Sequence, residues 1–152
     1  MNALSFDLKL HLERSKCINA FVELEQALGQ IADVLAKGYE NELISQRINR
    51  LRDVPASSVF SKEQRKLLHA ALDDAERLIV IRNDIVHGAL TVLMDGTKPI
   101  AAFINVRQSD WLAPVARLLT CEQLGQVAEK SRQLCQSLKK AMTKPAKQVV
   151  PS

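Results

Sequence analysis

The stretch SKEQRKLLHAALDDAERLIVIRNDIVHG, residues 61–88, decides how the chain is read. Its apolar residues recur at helical spacing, and Ser61 with Gln64 three positions on forms a capping box. A helix is therefore predicted from about Lys62 to His87, with Gly88 as its stop. At about 100° per residue, Leu67, Leu68, Ala71, Ala75, Leu78, Ile79, Ile85 and Val86 all fall within roughly 60° of Arg82. Arg82 thus sits in the middle of the apolar stripe. A guanidinium keeps its charge in proteins, and burying one without a partner is costly, so some group must meet it there. Asn83 and His87 lie further round the same wheel. A cation, an amide and an imidazole are presented together at a helix C-terminus, where the helix dipole favours cations.

Working outward toward the N-terminus, residues 5–38 carry Leu8, Leu12, Ile18, Phe21, Val22, Leu24, Leu28, Ile31, Val34 and Leu35 at mixed three- and four-residue spacing, which predicts a long amphipathic helix. Gly38 is its expected stop, and Gly29 inside it marks a bend or a close helix contact. Residues 40–51 read as a shorter helix or the tail of the first, whose Arg47, Arg50 and Arg52 form a solvated face, a phosphate-binding patch being the alternative. Residues 53–60, with Pro55, Ser57 and Ser58, read as a loop.

Toward the C-terminus the helical rhythm breaks. Thr91 to Met94, then Asp95-Gly96, then Ala101 to Val106 have the turn and flanks of a β-hairpin, with Pro99 limiting its second strand to an edge or a late start. From Ser109, past Trp111 and Pro114, a short helical stretch is expected, with Trp111 read as core or interface rather than a base-stacking platform. Thr120 and Gln123 cap a last helix, about Cys121 to Met142, with Leu124, Val127, Ala128, Leu134, Leu138 and Met142 inward. The expected fold is all-α: an up-down bundle of four to five helices with a small β-hairpin inserted after the motif helix. One domain spans residues 1–142, followed by a disordered tail at 143–152 with two prolines and two lysines.

Composition narrows the function classes. The 152 residues are 47% hydrophobic and suffice for one core. A formal charge of +4 and a pI of about 9.1 are compatible with a nucleic-acid partner without demanding one. Cys17, Cys121 and Cys135 have no ligand or disulfide spacing and read as small packed hydrophobes in a reducing compartment. No stretch approaches a membrane span, and a soluble, cytoplasmic protein is expected. Asp73, Asp74 and Glu76 read as a solvated face rather than a metal site, and His11 and His69 as incidental.

The order of elements, with Arg82-Asn83-Asp84-Ile85-Val86-His87 ending a core helix before a hairpin and a last helix, resembles the HEPN superfamily of helical nucleotide-binding and RNase domains. That family's signature is an Arg, a polar residue directly after it, and a His four to six residues further on; here the spacing is four and the polar residue is Asn83. The resemblance implies a homodimer whose motif helices meet to form a composite site from two copies of Arg82 and His87. It implies catalytic roles for Arg82, Asn83 and His87 in metal-independent RNA cleavage by 2′-hydroxyl attack, without a cofactor. Many prokaryotic relatives are toxins or defence effectors, which implies an antitoxin or nucleotidyltransferase as partner. The alternative is a non-catalytic HEPN module binding nucleotide, RNA or a protein. A plainer reading of the residues also stays open, in which Arg82 pairs with an acid of another helix, such as Glu23 or Glu25, and His87 caps its own helix.

Overall fold

The computed structural model describes residues 3–38, 42–105 and 115–143. Trp111, Pro114, the expected start of the second helix at residue 40 and the tail from residue 144 lie outside them. Four helices and three strands follow in order: α1 Ala3–Leu35, α2 Ile44–Asp53, α3 Lys62–His87, β1 Ala89–Asp95, β2 Lys98–Ile104, β3 Ala116–Thr120 and α4 Cys121–Met142. Helix α3 begins where its capping box places it. Ser61 Oγ accepts from the Gln64 amide at 3.1 Å, while Gln64 Oε1 accepts from the Ser61 amide at 2.9 Å. Thr120 and Gln123 repeat the arrangement at the start of α4.

The all-α expectation is overturned by the third strand. Residues 116–120, read as helical, pair antiparallel with β2 from Ile100↔Thr120 to Ile104↔Ala116, so the inserted hairpin is a three-stranded sheet of order β1-β2-β3. The reason is tertiary. Ala116, Arg117, Leu118 and Leu119 are all good helix formers, but a two-stranded hairpin is marginal alone, and β3 satisfies the open edge of β2. This also makes β2 the central strand rather than an edge. Pro99 is tolerated because it pairs only with Met94, one residue beyond the last β2–β3 pair. Gly96 opens the two-residue turn at φ 60°, a left-handed conformation that glycine adopts at little cost.

Helix α1 runs alongside α3 and α4. Ser131 Oγ of α4 donates to the Ala20 carbonyl at 3.0 Å and Cys17 Sγ to the Leu124 carbonyl at 3.1 Å, so α1 and α4 run in the same direction. Two apolar clusters result. One joins α1, α2, α3 and α4 around Leu28, Ile48, Leu51, Phe60, Leu72 and Leu138. The other joins the start of α1, the end of α3, the sheet and the start of α4 around Leu10, Phe21, Ile85, Phe103 and Leu124. Along α3 the expected stripe is buried at Leu68, Ala71, Ala75, Leu78 and Ile85, whereas Leu67 is exposed. No helix among the described residues is long and apolar enough to cross a membrane.

Candidate functional site

The last turn of α3 ends between two layers, α1 on one side and the sheet on the other. Its carbonyls are capped from α1. Arg14 Nε donates to the Ile85 carbonyl at 3.0 Å and Arg14 Nη2 to the Gly88 carbonyl at 3.0 Å, with the guanidinium 5.7 Å above the Phe103 ring. A cation at a helix C-terminus is favourably placed against the dipole. Arg14 therefore does the capping that His87 might have done. The chain then turns into β1 at Gly88, whose φ of −77° is ordinary. Glycine is needed there for space: a Cβ would run into the Asp84 carbonyl oxygen and lie 3.1 Å from the Phe103 Cβ.

With the turn fixed in this way, Arg82, Asn83 and His87 come together. Arg82 Nε and Nη2 donate to Glu25 Oε1 of α1 at 3.0 and 2.6 Å. Arg82 Nη1 donates to Asn83 Oδ1 at 3.1 Å and lies 3.5 Å from His87 Nε2. A guanidinium can only donate, so a hydrogen bond across this gap requires His87 Nε2 as the acceptor. The Arg82 and Glu25 side chains are 21% and 34% exposed, and His87 is exposed. The cluster lies at the surface. Glu25 thus answers the burial question within one chain, and a second copy is not needed to accommodate Arg82.

Asp84, between Asn83 and Ile85, faces the other way and carries a second cluster. Its carboxylate accepts from Arg117 Nε of β3 at 2.6 Å and from Asn105 Nδ2 at 3.3 Å, and the same amide reaches the Asn83 carbonyl at 3.4 Å. Asp84 and Asn105 are buried. Sequence reasoning missed this cluster, because the wheel puts Asp84 opposite the apolar stripe, where solvent was expected. Its partners come from the end of β2 and from the strand read as a helix. Glu25, by contrast, was one of two acids weighed for Arg82.

The other candidates fall elsewhere. Asp73 and Glu76 both pair with Arg52, at 2.7 and 3.0 Å, and Asp74 approaches Arg77 at 3.6 Å. No group of three or more His, Cys, Asp or Glu among the described residues is placed to hold a metal. His11 lies 3.6 Å from Asp7 on the exposed side of α1. Cys17 and Cys135 are buried and Cys121 half-buried. Burial, and secondarily the charge of Glu13, pushes the Cys17 thiol up to about 11, and burial raises Cys135 likewise. Neither thiol is activated as a nucleophile.

Comparison with protein-family models, curated proteins and solved structures finds no match to this chain. What can be said of function rests on the geometry of the α3 terminus and on the motif it carries.

Proposed function

We propose that the protein is a metal-independent endoribonuclease of the HEPN type, acting at Arg82, Asn83 and His87. The observation that carries this reading is the approach of Arg82 Nη1 to both Asn83 Oδ1 and His87 Nε2, at 3.1 and 3.5 Å, where Arg82 and Asn83 are half-buried and His87 is exposed. Three residue types suited to phosphodiester chemistry thereby share one small surface. In the proposed reaction, neutral His87 takes the proton of a ribose 2′-hydroxyl as its oxygen forms a bond to the adjacent phosphorus. The bond from phosphorus to the 5′-oxygen breaks, leaving a 2′,3′-cyclic phosphate and a 5′-hydroxyl. The leaving oxygen takes a proton from an imidazolium, which in the proposed homodimer is His87 of a second copy. Arg82 stabilises charge developing on the phosphate oxygens. Glu25 engages the Nε and Nη2 edge of the guanidinium, so Nη1 stays aimed at His87.

The same ion pair favours the second reading, a non-catalytic module binding nucleotide, RNA or a protein, because Arg82 already has a carboxylate partner in the free chain. Cleavage of a mixed structured RNA in EDTA separates the two. Wild type should cut and leave cyclic phosphate ends, while Arg82→Ala and His87→Ala, confirmed folded by circular dichroism, should not. An inert wild type, or variants that cut equally well, would sink the enzymatic reading. A toxin or defence role, with an antitoxin or nucleotidyltransferase as partner, extends the enzymatic reading. It predicts toxicity on expression that His87→Ala relieves.

A further inference from the structure

The three arginines of α2 part company in the fold. Arg50 is engaged by Glu42 and by the Ala36 carbonyl, and Arg52 by Asp73 and Glu76. Arg47 is different: its Nε is buried and has no hydrogen-bond partner among the described residues. That nitrogen is sealed from solvent, so an incoming anion would meet the terminal nitrogens of the same guanidinium, whose charge is shared across all three. The guanidinium lies against α1 at Gly29, where an added Cβ would stand 3.3 Å from Arg47 Nη1. The glycine lets the cation lie close over the helix.

Arg47 lines an open groove of about 580 Å³ along α1, together with Glu25, Gln26, Gly29, Gln30 and Asp33. Glu25 is also the residue that holds Arg82, so one end of the groove adjoins the Arg82 and His87 cluster. Glu25 and Gly29 are separated by one helical turn, about 6 Å along the axis, which is of the order of the spacing between neighbouring phosphates in a single strand. The Glu25 charge is matched by Arg82, the glutamine amides can donate to phosphate or sugar oxygens, and the carboxylate of Asp33 bounds the track.

We infer that Arg47 is a second phosphate-binding residue: an RNA strand with its scissile phosphate at Arg82 and His87 lays a neighbouring phosphate in the groove against Arg47. This rests on the ribonuclease reading of the Arg82 cluster. The test is fluorescence anisotropy of a labelled single-stranded RNA over a salt series, in a His87→Ala background to prevent cutting, with cleavage of a dinucleotide too short to reach Arg47 measured separately. Arg47→Gln should bind several-fold more weakly and lower the slope of log affinity against log salt by about 0.7, the loss of one phosphate contact on a single strand. Its dinucleotide cleavage should match that of Arg47 wild type. Arg47→Lys keeps the positive charge and should restore most of the salt slope, which guards against misfolding of the first variant. Unchanged affinity and slope in Arg47→Gln, or a slope in Arg47→Lys as low as in Arg47→Gln, overturns the inference and leaves the ribonuclease reading standing. Weakened binding without dinucleotide cleavage by wild type supports the Arg47 contact and counts against catalysis. A wild type that binds no RNA overturns both.

Discussion

The last turn of α3 carries two ion pairs two residues apart that face opposite layers. Arg82 and Glu25 meet between α1 and α3 with side chains 21% and 34% exposed. Asp84 and Arg117 meet between α3 and the sheet with side chains 10% and 31% exposed, so the difference lies in the carboxylate, to which Asn105 adds a bond. Both contacts measure 2.6 Å, so distance does not distinguish them. Solvent does. A charge pair within reach of water is screened and contributes little net stability, whereas removing one member of a sequestered pair strands the other in a poorly solvated place. The inner pair therefore ties helix to sheet, and the outer pair is free to aim a guanidinium at a surface.

The largest effect should come from breaking the inner pair. Asp84→Ala takes the carboxylate away from Arg117 and removes one acceptor of the buried Asn105 amide, and should cost about 3 kcal/mol in urea unfolding, the low end for a buried pair because Arg117 is partly exposed. A loss below about 1 kcal/mol, the range of exposed pairs, would mean that the inner cluster is not the anchor its burial implies.

Breaking the outer pair should have the opposite profile. Glu25→Ala should change stability by no more than about 1 kcal/mol. It also releases the Nε and Nη2 edge of Arg82, and misplacement of a catalytic group by an ångström can cost on the order of a hundredfold in rate. RNA cleavage should fall by roughly tenfold to a hundredfold with the melting profile nearly unchanged. Wild-type cleavage in Glu25→Ala would remove its role as the positioning residue for Arg82. Destabilisation equal to that of Asp84→Ala would erase the difference between the two faces.

The outer cluster was legible in the sequence and the inner one was not. Arg82, Asn83 and His87 stand within one and a half turns of a helix whose period, Ser61 cap and terminal Gly88 are all local signals, so their proximity follows from helical geometry alone. That an arginine on an apolar stripe must find an acid leaves Glu23 and Glu25 both open, and only the packing of α1 against α3 selects Glu25. The Asp84 cluster needed β3, and β3 is written in Ala116, Arg117, Leu118 and Leu119, which favour helix until the edge of β2 is there to pair with them. No local pattern announces that edge. Gly88 shows the same division: its position was readable as a stop, but its cause, the crowding of Asp84 and Phe103, exists only once the sheet has packed.

The smallest effect should appear only at alkaline pH, and it probes the sheet side of the comparison. Cys17 lies in the same apolar cluster as Ile85 and Phe103, with its thiol donating to the Leu124 carbonyl at 3.1 Å. Its folded-state value of about 11, against the ordinary thiol value of 9.0, means that the folded chain holds the thiol proton more tightly than the unfolded chain does. The resulting contribution to stability is complete below about pH 9 and disappears as pH rises through 11. The quantity to measure is the difference in urea midpoint between wild type and Cys17→Ala across that window, in which ionisations common to both cancel. The gap should narrow as the thiol ionises, because the wild type then carries a thiolate in an apolar surround. A gap that stays constant from pH 8 to 11 would mean that the thiolate reaches water without opening the cluster, and that the sheet side of α3 is looser than its burial implies.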